Sequence, residues 1–359
     1  MHDPTSTQMF AEAAQAPACV AAQAETAADA LAAIGAALRQ LDPPFVATIA
    51  RGSSDHAATY AKYLIETTTG VPVTSYAPSV SSVYEARSSM ERAACIAVSQ
   101  SGRSPDLLSA LATARSGGAL SIALVNDTAS PLAEAAEYVA DLCAFPETAV
   151  AATKSYLTSL AVTARIVAEW TRDDTLRAAL AQLPACMEAA WTLDWSAAQA
   201  AVLDHKSMFV IGRGAGLGVA QEAALKFKET CRIHAEAYSA AEVLHGPAAV
   251  VREGFPVLAF LADDATGPSV QDTCEKLAEM GASVFVAGQA SGQVSGQVSD
   301  SASGAHIAGC TSLPTLDFDP RLQPILLAQS FYRLVNGCAV ALGENPDAPP
   351  HLKKVTETT

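Results

Sequence analysis

Between Gln221 and Thr230 the chain reads Gln-Glu-Ala-Ala-Leu-Lys-Phe-Lys-Glu-Thr, with Lys226 four residues after Glu222 and three before Glu229. On a helix these fall at i, i+4 and i+7, so two carboxylates share one face with an ammonium. Such a face is either a solvated ion-pair stripe or, when half-buried, a group whose members shift one another's proton affinities as acid/base catalysis needs. Further on, Glu242-Val243-Leu244-His245-Gly246-Pro247 sets a histidine in a loop. There it either titrates near neutrality or braces the turn with a hydrogen bond. Two earlier segments have anion chemistry: Arg51-Gly52-Ser53-Ser54-Asp55 and Ser99-Gln100-Ser101-Gly102-Arg103-Ser104-Pro105. Each follows an apolar run and leads into a helical pattern. Small residues at a strand-to-helix turn let backbone N–H groups approach an anion, while hydroxyls and the helix N-terminus add donors. Either segment alone reads equally as helix capping. On neighbouring strands of one sheet they favour a phosphorylated ligand.

Other motifs argue against familiar cofactors. In Gly212-Arg213-Gly214-Ala215-Gly216-Leu217-Gly218 a dinucleotide fingerprint would need glycine where Leu217 stands, and no glycine-rich turn ends in Gly-Lys-Ser or Gly-Lys-Thr. The eight cysteines lie at least 28 residues apart, which leaves no local zinc knuckle or CxxC redox pair. They read as separate thiols in a reducing compartment. No cofactor and no metal is expected.

The elements that must position these residues come as a repeat. Apolar runs at 45–50, 95–98 and 121–125 alternate with helical patterns, and runs at 207–212, 256–261 and 283–287 repeat the order. Arg51 corresponds to Arg213, Ser99 to Leu261 and Ser121 to Ser283, each pair 162 residues apart. Residues 71–76 fall on 233–238 at the same offset. Each half is therefore predicted to be an α/β, doubly wound parallel sheet of four or five strands, with ligands beyond the carboxyl ends of the strands. The predicted organisation is a helical segment over 1–40, a first domain over 41–185, a second over 200–344 and a tail over 345–359. Long helices are expected over 10–40, 149–170 and 320–342, and a solvated loop over 288–309, where Ser-Gly-Gln-Val occurs twice. The tail has two lysines in an acidic protein.

Composition narrows the partners. The formal charge of −15 offers no broad electrostatic footprint for nucleic acid or an anionic membrane. Half of the residues are hydrophobic, yet no apolar run reaches the roughly 20 residues of a membrane span. The N-terminus lacks a basic region followed by an apolar stretch, so a cytoplasmic, soluble protein is expected.

Taken together, Ser99-Gln100-Ser101-Gly102, the Glu222 to Glu229 helix, His234-Ala235-Glu236-Ala237-Tyr238, His245-Gly246-Pro247, and Lys353 with Val355-Thr356 resemble the sugar isomerase (SIS) domain family. That family includes the isomerase half of glucosamine-6-phosphate synthase. The resemblance runs from about Phe45 to Thr356 and implies two tandem flavodoxin-like SIS domains. It implies a sugar phosphate held by Ser53, Ser54, Ser99, Gln100, Ser101 and Ser104. Glu229 would be the base that moves a proton between carbons 1 and 2, with Glu222 supporting it and Lys226 assisting. His245 would be the ring-opening acid/base supplied by a neighbouring subunit, so a homodimer is implied. Lys353 would form a Schiff base with a ketose phosphate or cover the open sugar. Val150-Ala151-Ala152-Thr153-Lys154 matches the family's substrate-contacting turn, which places Val150 and Ala152 at the sugar; Ala152 stands where the synthase has serine.

The synthase also has a preceding glutaminase domain, whereas here about 40 residues precede the first strand and Cys19 lies in an Ala-rich helical pattern. The expected reaction therefore runs in the degradative direction, from glucosamine 6-phosphate and water to fructose 6-phosphate and ammonia, as in type II glucosamine-6-phosphate deaminases. A galactosamine-6-phosphate deaminase/isomerase and a fructosamine-phosphate deglycase would use the same residues. Synthesis with free ammonia would differ only in direction. A non-catalytic sugar-phosphate sensor would need only the phosphate cradle.

Overall fold

The computed structural model describes residues 3–288 and 307–354, and most of the expected loop over 288–309 lies outside them. The first part of the chain forms α1 (Gln8–Ala14), α2 (Ala16–Thr26), α3 (Ala28–Leu41), β1 (Val46–Ile49), α4 (Ser53–Thr69), β2 (Val73–Ser75), α5 (Ser79–Ser82), β3 (Ala94–Ser99), α6 (Pro105–Ser116), β4 (Leu120–Val125), α7 (Pro131–Ala135), β5 (Tyr138–Asp141) and α8 (Lys154–Thr171). Then come α9 (Asp174–Trp191), α10 (Ser196–Leu203), β6 (Ser207–Gly212), α11 (Gly216–Cys231), β7 (His234–Ser239), β8 (Pro256–Leu261), α12 (Gly267–Glu279), β9 (Ser283–Gly288), β10 (Thr311–Leu313) and α13 (Gln323–Ala341).

The strands build two five-stranded parallel sheets of the same winding, β2-β1-β3-β4-β5 and β7-β6-β8-β9-β10. Order 2-1-3-4-5 is the flavodoxin-like doubly wound arrangement. Central strands such as β1, β3 and β8 are buried along their whole length, as strands covered by helices on both faces must be. The repeat survives in three dimensions, since α4 and α11, and α6 and α12, begin within one residue of the 162-residue offset.

The described residues divide into two compact units. One comprises 16–147, 154–184 and the chain from 353; the other comprises 3–15, 148–153 and 185–352. The first has a core of residues such as Ala47, Ile49, Cys95, Leu107, Leu111 and Leu132. The second packs Phe209, Ile211, Phe255, Val257, Leu277 and Val286.

Two helices differ from expectation for identifiable reasons. The span 10–40 is three helices, and Pro17 in the first turn of α2 cannot donate backward into α1. The helix expected over 149–170 starts only at Lys154 because the preceding backbone is bonded elsewhere. The Glu12 carboxylate accepts Thr148 N–H at 2.6 Å and Ala149 N–H at 3.2 Å, and Val150 N–H donates to the Asp347 carbonyl at 3.0 Å. Strands β5 and β10 had no apolar run to announce them, because each is a short, partly exposed edge strand.

Candidate active site

The first unit gathers the hydroxyl-rich segments. Ser53 and Ser54 open α4, both half-buried, directly beyond β1. Ser99 ends β3 and is buried; Gln100, Ser101 and Ser104 follow it half-buried, and Ser104 is the N-cap position of α6 without making a side-chain cap. Since β1 and β3 are paired neighbours, both loops leave the same end of the sheet. Two details hold them in shape. Ser99 Oγ accepts Gly102 N–H at 3.0 Å, which folds the turn back on itself. Arg51 Nε donates to the buried carboxylate of Asp106 at 2.9 Å, tying the first loop to the start of α6.

In the second unit the corresponding loops lack these donors. Ser53 and Ser54 are replaced by Ala215 and Gly216, and Ser99, Gln100 and Ser101 by Leu261, Ala262 and Asp263. An aspartate there would repel an anion, so only one copy of the repeat has side chains that could cradle one. The lysine–carboxylate group is equally one-sided. Tyr60, Leu64 and Thr67 occupy in α4 the places of Glu222, Lys226 and Glu229 in α11.

Glu222 and Lys226 are fully buried in α11, and Glu229 keeps a fifth of its side chain exposed. Lys226 Nζ is 3.4 Å from Glu222 Oε1 and donates a hydrogen bond to Glu229 Oε2. Tyr332 of α13, also buried, donates its hydroxyl to Glu222 Oε1 at 3.0 Å. Burial works against the Lys226 charge, but Glu222 and Glu229 outweigh it and hold the ammonium above its usual value, at about 12. The solvated-stripe alternative is therefore excluded. A fixed positive charge lies beside a carboxylate that still reaches solvent, the arrangement in which a base can take and return a proton while its charge is compensated.

His245 follows a short 3-10 turn, Glu242–Leu244, and is exposed; its backbone N–H donates to the Glu242 carbonyl at 2.9 Å. Among the described residues its ring makes no hydrogen bond, so the imidazole is not the brace of this turn. Val150 and Ala152 are half-buried in the turn that Glu12 and Asp347 hold. Lys353 is exposed, and Val355 and Thr356 lie outside the described residues. Thus Glu222, Lys226 and Glu229 come together in one unit, and the serine segments in the other.

Tyr332, Arg51, Asp106, Glu12 and Asp347 were not expected as supporting residues. Only the phenol of Tyr332, set between Phe331 and Leu334 in α13, could have hinted at a partner, since a buried tyrosine hydroxyl needs one. Among the described residues no cluster of three or more His, Cys, Asp or Glu side chains is placed to hold a metal ion, and no helix is long and apolar enough to cross a membrane.

Fold and site together define a tandem doubly wound α/β protein with hydroxyl-rich strand-end loops in one half and a buried lysine–carboxylate face in the other. The chain belongs to the SIS domain family, which matches residues 45–168 and 202–297. A glutamine–fructose-6-phosphate aminotransferase (isomerizing) of Symbiobacterium thermophilum is 34% identical over 86% of this chain and 51% of its own length. The chain thus spans about half the length of the curated relatives it matches. A Silicibacter pomeroyi protein of known structure, described provisionally as a phosphosugar isomerase, is 43% identical, with a TM-score of 0.87 over 95% of this chain and all of its own. A Thermotoga maritima glucosamine-6-phosphate deaminase shares the fold at 19% identity, with a TM-score of 0.71 over 92% of this chain and 99% of its own.

Proposed function

We propose that the protein is a deaminating aldose–ketose isomerase that converts glucosamine 6-phosphate and water to fructose 6-phosphate and ammonia. The observation that carries this reading is the buried Lys226 between Glu222 and the partly exposed Glu229, a constellation that binding alone would not need. In the proposed reaction the phosphate takes the hydroxyls and N–H groups of Ser53, Ser54, Ser99, Gln100, Ser101 and Ser104. His245 moves the proton that opens the ring, supplied by the second subunit of a homodimer. Glu229 removes the proton at carbon 2, made acidic by the adjacent carbonyl, and returns it at carbon 1. Water then adds to the resulting ketimine at carbon 2, and ammonia leaves. Glu222, held by Tyr332, keeps Lys226 in place, and Lys226 compensates the charge that Glu229 and the substrate carry. Lys353 covers the open chain or condenses with its carbonyl, and Val150 and Ala152 contact the sugar. Deamination is the direction that needs only water as co-reactant, whereas amination requires an ammonia supply.

The test is the purified protein with glucosamine 6-phosphate, following ammonia and fructose 6-phosphate together, with galactosamine 6-phosphate and a fructosamine phosphate as parallel substrates. Glu229→Gln should lower kcat by about 10²–10⁴-fold while sugar-phosphate binding stays within about threefold. Unaltered ammonia release in that variant removes Glu229 from the chemistry. Tight sugar-phosphate binding by the unmodified protein with no turnover of any substrate would make it a sensor instead.

A further inference from the structure

The described part of the tail ends in two adjacent lysines with different surroundings. Lys353 is exposed, whereas Lys354 is half-buried, with its Nζ 2.9 Å from Glu147 Oε2. Glu147 has no side-chain exposure. Ser155, in the first turn of α8, donates its backbone N–H to Glu147 Oε1 at 3.1 Å and its hydroxyl to Oε2 at 2.7 Å. The carboxylate is therefore oriented by α8 before the tail is considered. Lys154, also buried, begins the same helix. A buried carboxylate is costly unless its charge is answered at close range, and the Lys354 ammonium answers it here.

We propose that the Lys354–Glu147 ion pair is a clasp that fastens the C-terminal segment to the first turn of α8, making Lys354 a positioning residue for Lys353. This rests on the proposed reading of Lys353 as the amine that meets the open sugar. Lys354 itself touches no substrate in this scheme. With the tail clasped, Lys353 is presented from a segment already in place, and less ordering remains for the moment when substrate binds.

Two measurements on the full-length protein separate the clasp from the reaction. Hydrogen–deuterium exchange of the peptide covering residues 348–354, without substrate, should speed up about tenfold in Lys354→Met and in Glu147→Gln, with exchange in β1, β3 and α11 unchanged. In steady-state assays with glucosamine 6-phosphate, Lys354→Met should lower kcat about tenfold with KM within about threefold, because the phosphate contacts are untouched. Lys354→Arg, which keeps the charge, should restore both slow exchange and kcat. Tail exchange in Lys354→Met equal to that of the unmodified protein overturns the clasp. So does loosening that leaves kcat intact, because the tail would then be held for no catalytic purpose. If the unmodified protein does not turn over the amino sugar, the proposed reaction falls, while the exchange data still decide whether the tail is clasped.

Discussion

A lysine ammonium without solvent exposure persists only where its charge is answered, and in α11 two carboxylates answer it. The folded-state value of Lys226, about 12, lies above its ordinary 10.5. Its contribution to stability is therefore complete below pH 10.5 and is lost as the pH rises through about 12. Lys226→Met strands two carboxylates and should cost about 3–5 kcal/mol. Measured by urea unfolding, the gap between the variant and the unmodified protein should stay flat from about pH 7 to about pH 10. A gap that closes near neutrality would mean that Lys226 is uncharged in the fold. The thiols are at the opposite pole: burial pushes Cys19 up to about 11 and Cys95 up to about 12, so neither is a nucleophile at neutral pH.

At the scale of elements, the cradle depends on how sharply the chain turns after β3. Gly102 sits at φ +62°, and a Cβ there would lie 2.1 Å from Ser130 Oγ. Gly102→Ala combines left-handed strain with a clash and should cost about 1–3 kcal/mol. Because it moves Ser99 to Ser104 rather than α11, it should raise KM for the sugar phosphate far more than it lowers kcat. Ser130→Gly in the same chain should recover only part of the stability, since it relieves the contact and leaves the φ angle. A change in kcat alone would place the phosphate elsewhere. The Arg51–Asp106 pair belongs to the same scale, because it braces the loop after β1 against the helix after β3.

Across the whole molecule, the two repeats share a fold and differ in the side chains they carry at corresponding positions. Both sheets have the same strand order, yet hydroxyls remain at the strand ends of one and the lysine–carboxylate face on a helix of the other. A net charge of −15 would repel the proposed dianionic substrate at long range, so binding it would require donors concentrated locally. The proposed dimer with shared sites predicts complementation. His245→Ala and Glu229→Gln, each inactive alone, should on mixing under subunit exchange regain about a quarter of full activity, because random pairing leaves that share of sites intact. No recovery despite demonstrated exchange would assign His245 and Glu229 to the same subunit's site, or His245 to none.

How much was legible in the sequence follows from the range of the forces involved. Periodicity and the constant 162-residue offset were enough for the doubly wound class, the central strands and α11, because burial on both faces writes a continuous apolar run and helical spacing puts Glu222, Lys226 and Glu229 on one face. The edge strands β5 and β10 left no such run. Tertiary structure alone decided whether that charged face was solvated or buried, which depends on α13 packing over it and on Tyr332 reaching Glu222 across 110 residues of chain. It also decided where α8 begins, because Glu12 and Asp347, distant in sequence, take the N–H groups that would otherwise have extended the helix. Spacing along a chain records local periodicity and leaves no trace of which remote carboxylate will accept a given donor, since that pairing exists only once the chain has closed on itself.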